Sequence, residues 1–210
     1  MAASAAAMAK PSQTGAMAAA VGRENTADPR RSLYRRLTRH AAGHANDHAL
    51  ACMIANLCHG GGAMPDWLGL ERSAFVCLLR HHFPGLDLGD RPLVDRPLDT
   101  GRNEEHRELV ELMLLDKAGD SPTEVWMAHI VAAGCTASDH LWQDLGLWDR
   151  AELTALMRRN YPPLAARNVK EMKWKKFLYK QLCEAEGIYA CRAPSCEVCV
   201  DYGTCFGPEE

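Results

Sequence analysis

The sequence predicts an all-α protein built as two related three-helix units, a C-terminal helix and an irregular cysteine-rich tail. Three observations predict it. Apolar residues recur at helical spacing in stretch after stretch from Arg30 onward. No segment shows the period-two alternation of a half-buried strand. Ser121-Pro122-Thr123-Glu124 combines a capping box with proline at the first helical position, a specific helix start.

Residues 1–28 are rich in Ala and Met, with scattered Gly, Pro, Ser and Thr. They offer few large side chains to bury, so nothing offsets the entropy of ordering them, and disorder is expected. Leu50, Met53, Ile54, Leu57 and Cys58 then fall on one face of a helix. Phe75, Leu78 and Leu79 mark another helix, Val110, Met113 and Leu114 another, and Leu153, Leu156 and Met157 a further one. The stretch Gly85–Gly101, rich in Gly, Pro and Asp, reads as a loop. A last helix is expected over about Val169–Ala185, with Trp174, Phe177, Leu178, Leu182 and Ala185 on its apolar face and Gly187 just beyond its end.

The two halves echo each other. Leu68-Gly69-Leu70 recurs as Leu145-Gly146-Leu147, an offset of 77. At the same offset Ala51 matches Ala128, Met53 matches Ile130, Ile54 matches Val131 and Cys58 matches Cys135. Downstream the offset becomes 78, pairing Phe75 with Leu153, Leu78 with Leu156, Phe83 with Tyr161 and Pro84 with Pro162. This reads as two copies of one unit, roughly 30–86 and 104–165, within a helical domain of residues 29–168. Each copy ends at a proline, which disfavours helix in the residue before it.

Composition narrows the function. A chain of 210 residues suits one domain with an appended element. A net charge of -3 and a pI near 6.3 do not mark a nucleic-acid binder. No phosphate loop, nucleophile elbow or H-E-x-x-H motif is present, so catalytic turnover is not indicated. The N-terminus lacks the basic start and apolar middle of a secretion signal. No run of eighteen apolar residues would span a membrane. A cytoplasmic protein is expected, and its nine cysteines then point to metal rather than to disulfides.

Four of those cysteines lie within fifteen residues of the segment 169–210: Cys191, Cys196, Cys199 and Cys205, spaced C-x4-C-x2-C-x5-C. Pro194, Gly203, Gly207 and Pro208 suit a chain wrapped around something small. The tail has too little apolar content to pack unaided, and a bound metal would supply the missing folding energy. Soft thiolates favour an iron–sulfur cluster, zinc or copper(I). Spacing alone leaves these open, with a structural zinc site in a helical interaction module and an iron–sulfur electron carrier as rival functions.

Lys173-Trp174-Lys175-Lys176-Phe177-Leu178-Tyr179-Lys180, followed by the four cysteines and Cys205-Phe206-Gly207-Pro208, resembles the NifQ family of nitrogen-fixation proteins. Leu68-Gly69-Leu70 and His82-Phe83-Pro84-Gly85 are also similar to it. The resemblance implies that Cys191, Cys196, Cys199 and Cys205 hold a molybdenum–iron–sulfur cluster. It implies a carrier that takes molybdenum from molybdate and donates it to assembly of the nitrogenase iron–molybdenum cofactor. The partners it implies are the cofactor scaffold complex and the nitrogenase iron protein.

Other residues are candidates beside their plainer readings. Arg192 can fork onto an oxyanion or simply face solvent. Lys173, Lys176 and Lys180 can dock an acidic partner or form a solvated helix face. His40, His44 and His48 would make a metal-binding stripe on one unbroken helix, but Gly43 and Asn46-Asp47 are expected to interrupt it, with Asn46 capping the next helix. Cys183 is a spare ligand or a plain helix residue. Cys52, Cys58, Cys77 and Cys135 are expected to behave as small apolar side chains.

Overall fold

The computed structural model describes residues 28–88, 93–98 and 100–185. Among them the chain forms nine α-helices and no strand: α1 Pro29–Arg39, α2 Asp47–Cys58, α3 Arg72–His82, α4 Asn103–Leu115, α5 Pro122–Cys135, α6 Leu141–Leu145, α7 Arg150–Asn160, α8 Pro162–Arg167 and α9 Trp174–Ala185. The expected disorder of the N-terminus falls on residues 1–27, outside the described residues. Asp28 is described, and its carboxylate caps α1 at Arg30 N, 3.1 Å away.

Two helices form the centre. In α2, Asp47 and every residue from Ala49 to Leu57 are buried. In α5, Met127, Ala128 and the run Ile130–Cys135 are buried. Helices apolar nearly all round belong inside a core. Amphipathic helices cover them: α1 packs on α2, α4 on α5, and α9 on α4. The buried faces of α3 (Phe75, Leu78, Leu79) and α7 (Leu153, Leu156, Met157) are those that the periodicity predicts.

Local signals hold in position more than in detail. Ser121 caps α5, its hydroxyl accepting from Thr123 N at 3.2 Å. The Glu124 carboxylate does not close the box, because its Oε2 is buried without a partner. Asn46 precedes α2 as expected but caps nothing. It forms a buried amide pair with Asn160 instead, at 2.7 Å and 3.1 Å. The last helix starts at Trp174, not near Val169. Asn168 is the cause: its side chain accepts from Met172 N and donates to Met172 O, closing a turn in which Glu171 adopts φ 49. Gly187 lies outside the described residues.

Positions related by the offsets of 77 and 78 have similar helix ends and contacts. The chain leaves α3 at Phe83 with φ -134 and ψ 64, and leaves α7 at Tyr161 with φ -136 and ψ 60. A Cβ on Gly69 would meet Ala133 at 2.5 Å, and one on Gly146 would meet Asn56 at 2.4 Å. Asn56 and Ala133 are themselves 77 residues apart, as Gly69 and Gly146 are. His82 likewise reaches Thr123, while Asn160 reaches Asn46.

These glycines carry a measurable load. Gly146 sits at φ 77 against buried Asn56, whereas Gly60, at φ 71, has nothing within 4 Å. Gly60→Ala therefore tests backbone strain alone, about 1 kcal/mol. Gly146→Ala adds a collision with Asn56 and is expected to cost about 2–4 kcal/mol. Thermal melts should show a Tm for Gly146→Ala at least about 3 °C below that of Gly60→Ala.

Candidate metal centre

Cys191, Cys196, Cys199, Cys205 and Arg192 lie outside the described residues. The structure does describe the helix that leads to them. α9 is tied down along its length: Trp174 Nε1 donates to Thr154 Oγ1 at 3.1 Å, and Tyr179 Oη donates to Glu105 at 3.3 Å. Lys175, 9 % exposed, turns into the core, donating to Ala137 O at 2.8 Å and to the Asp144 carboxylate. Burial pushes the Asp144 carboxyl up, against the pull of the Lys175 ammonium. Asp144 Oδ1 is buried without a hydrogen bond of good geometry.

This corrects the expected faces of α9. Its buried side is Trp174, Lys175, Phe177, Leu178, Tyr179 and Cys183, while Leu182 is half-buried and Ala185 exposed. Cys183 is thus a packed helix residue. Lys173 and Lys176 are half-buried, and exposed Lys180 pairs with Glu184 at 3.4 Å. The three lysines do not form a uniformly solvated stripe, because α9 is wrapped by neighbours on more than one side.

The histidine stripe is interrupted, as expected from Gly43 and Asn46-Asp47. His40 ends α1 and contacts Pro84 O at 3.2 Å, and His44 lies in the following loop. There His44 stacks on His81, ring centroids 4.2 Å apart. Beside them His82 is fully buried between Asp47 Oδ1 at 2.6 Å and Thr123 Oγ1 at 2.9 Å. Burial pushes its pKa down, with Asp47 pulling the other way. The other Asp47 oxygen accepts from Gly43 N and His44 N, both at 2.8 Å. This network ties together the start of α2, the end of α3 and the start of α5, a structural role.

His48 has other company. It stands one turn before Cys52 on α2, and Glu152 reaches it from the first turn of α7. His48 Nε2 is 2.7 Å from Glu152 Oε1 and 3.8 Å from Cys52 Sγ. One donor atom from each of the three lies within 4.8 Å of the others, and among the described residues this is the only such group of His, Cys, Asp and Glu. Burial first, then Glu152, push the Cys52 thiol up to about 12. Cys135, Cys58 and Cys77 behave differently from one another: Cys135 is fully buried, Cys58 half-buried and Cys77 exposed, so Cys77 is not the packed apolar residue expected. The spacing of His48 and Cys52 was visible in the sequence; Glu152, a hundred residues on, was not.

Residues 49–207 match the family model described as NifQ, a span from α2 through all four tail cysteines. The protein NifQ of Azotobacter vinelandii is 45% identical over 175 residues, covering 79% of this chain and 90% of that protein. A NifQ homolog of Sinorhizobium fredii is 49% identical over 170 residues, covering 79% and 73%. The protein NifQ of Klebsiella pneumoniae is 36% identical over 163 residues, covering 71% and 92%. No solved structure matches the chain. No helix among the described residues is long and apolar enough to cross a membrane.

Proposed function

The chain belongs to the NifQ family, and from that premise we propose that it is a cluster-bearing carrier that processes molybdenum for the nitrogenase iron–molybdenum cofactor. The observation that carries this reading is that the family match runs on through Cys191, Cys196, Cys199 and Cys205. Their donor set fits the group: four soft thiolates in a short, Gly- and Pro-punctuated segment suit an iron–sulfur cluster. When bound, such a cluster supplies sulfur ligands that replace the oxygen ligands of molybdate. The chain's own part is to hold and present it. In this reading Arg192 offers a guanidinium fork to the oxyanion. Lys173, Lys176 and Lys180 sit at the base of the tail, where a partner such as the cofactor scaffold complex or the nitrogenase iron protein would meet it.

A donor differs from an enzyme in what it needs. It must hold its cargo firmly and expose it. A rigid helix followed by a short cysteine segment does that, and no turnover is required of it. Cytoplasmic residence goes with this reading, since thiolate clusters are compatible with a reducing compartment. We further infer that residues 29–168 are one duplicated domain and 169–210 the cluster-bearing part. The exchanged glycine contacts and the matching ends of α3 and α7 support the duplication.

Anaerobic purification with metal analysis tests the function. The expected protein is brown, carries iron and sulfide, and retains molybdenum after incubation with molybdate and a reductant. A colourless protein with stoichiometric zinc would sink the reading in favour of a structural zinc module. Iron that never acquires molybdenum would leave an electron carrier.

A further inference from the structure

We propose that His48, Cys52 and Glu152 form a second metal site, a three-ligand site for a divalent transition-metal ion such as zinc or iron(II), independent of the tail cysteines. The three residues offer one nitrogen, one sulfur and one oxygen, a mixed set suited to ions of borderline softness. His48 and Cys52 lie four residues apart on α2, so both project from the same face. Bonds of about 2.0–2.3 Å to a tetrahedral ion place the ligand atoms about 3.3–3.8 Å apart. The Cys52–His48 distance is already 3.8 Å. The 2.7 Å His48–Glu152 contact needs to open by less than about 1 Å to admit the ion.

Each ligand is held from behind, as metal ligands commonly are. His48 Nδ1 lies 2.8 Å from Tyr34 Oη, which leaves Nε2 to face the other two. Trp148 N donates to Glu152 Oε2 at 2.8 Å, which leaves Oε1 for the ion. Asp149 caps the backbone N–H of Glu152 at 2.8 Å. Trp148 itself is fixed by Arg30, whose guanidinium sits 4.2 Å over its ring. Cys52 forms the closed floor of the site, while the His48 side chain is 52% exposed. One coordination position therefore faces water, as in sites that exchange a ligand or pass on an ion.

The fold does not call for these side chains. Under the internal offsets, His48, Cys52 and Glu152 correspond to Val125, His129 and Ala74. Those three line an open groove of about 770 Å³ with Trp67, Trp126 and His106. One half thus builds the helix junction with Val and Ala where the other places a histidine and a carboxylate. Packing alone gives no reason for the difference; metal binding does.

Cobalt(II) is the probe. The full chain is used with Cys191, Cys196, Cys199 and Cys205 all changed to Ser, so that the tail cannot take the metal. The expected result is one cobalt per chain, with a thiolate-to-cobalt charge-transfer band that zinc abolishes by displacement. Cys52→Ser removes the band, His48→Gln removes binding, and Tyr34→Phe weakens it about 10–100-fold. Absence of the band, or binding indifferent to His48→Gln, overturns the proposal. Should the four-serine chain fail to fold, cobalt is counted on the intact chain: His48→Gln lowers the count by one ion, and an unchanged count overturns the site.

Discussion

Replacing Lys175 by Met lowers the stability of the fold by about 3–5 kcal/mol, the loss typical of stranding one partner of a buried ion pair. Lys175 and Asp144 are 9 % and 1 % exposed, so solvent cannot take over from the missing partner. Asp144 Oδ1 is already buried without a hydrogen bond of good geometry. Chemical denaturation should show a lower midpoint with little change in slope. The pH dependence follows from the direction of the Asp144 shift. Burial raises this carboxyl even with Lys175 in place. Without Lys175 it rises further, so the folded variant holds a proton that the unfolded chain releases above about pH 4. Stability then falls as pH increases from there through the raised folded pKa, and levels off beyond it. The deficit of Lys175→Met should be smallest in acid. Adding Asp144→Leu should recover most of the loss and flatten the pH profile, because a well-packed apolar pair often replaces a buried ion pair at little cost. A double variant as unstable as the single one would mean that Lys175 acts through its packing, not through Asp144.

Lys175 also shows where sequence reading stops. The apolar face of α9 was legible in Trp174, Phe177 and Leu178, because helical periodicity needs only local information. The burial of a lysine depends on a carboxylate that another helix brings to it, and no local pattern encodes that meeting. The start of α9 was missed for a similar reason: the Asn168 side chain imitates a backbone partner for Met172 and holds the chain out of helix. By contrast, the repeated Leu-Gly-Leu was informative because its glycines answer a steric demand, a left-handed backbone against a neighbouring helix. The metal-binding potential divides the same way. Four tail cysteines within one short segment announce themselves. The His48–Cys52–Glu152 group is half local and half assembled by the fold. The break between His40 and His48 was itself legible, in Gly43 and Asn46-Asp47: α1 ends at Arg39 and α2 starts at Asp47.

Exchange of Cys196 or Cys199 for Ser is expected to abolish bound iron and visible colour while leaving the helical body intact. This follows from the proposed division into a helical body and a cluster-bearing segment. Trp174, Phe177, Leu178 and Tyr179 of α9 are each at most 4 % exposed, and their bonds to Thr154 and Glu105 anchor α9 on the other helices. A cluster site, in contrast, draws its folding energy from the metal, so loss of one thiolate from a C-x2-C pair removes two neighbouring anchors' common geometry and much of the binding. Serine keeps the size and loses the soft donor, which makes the comparison one of chemistry and not of packing. Far-UV circular dichroism and the Tm measured without metal should match the parent, while iron and molybdenum contents fall to background. The cobalt site at His48, Cys52 and Glu152 should survive in the same variants, since it stands on α2 and α7. If helicity collapsed along with the iron, the tail would be part of the fold's core, and the division into a supporting body and a cluster-bearing segment would have to be abandoned.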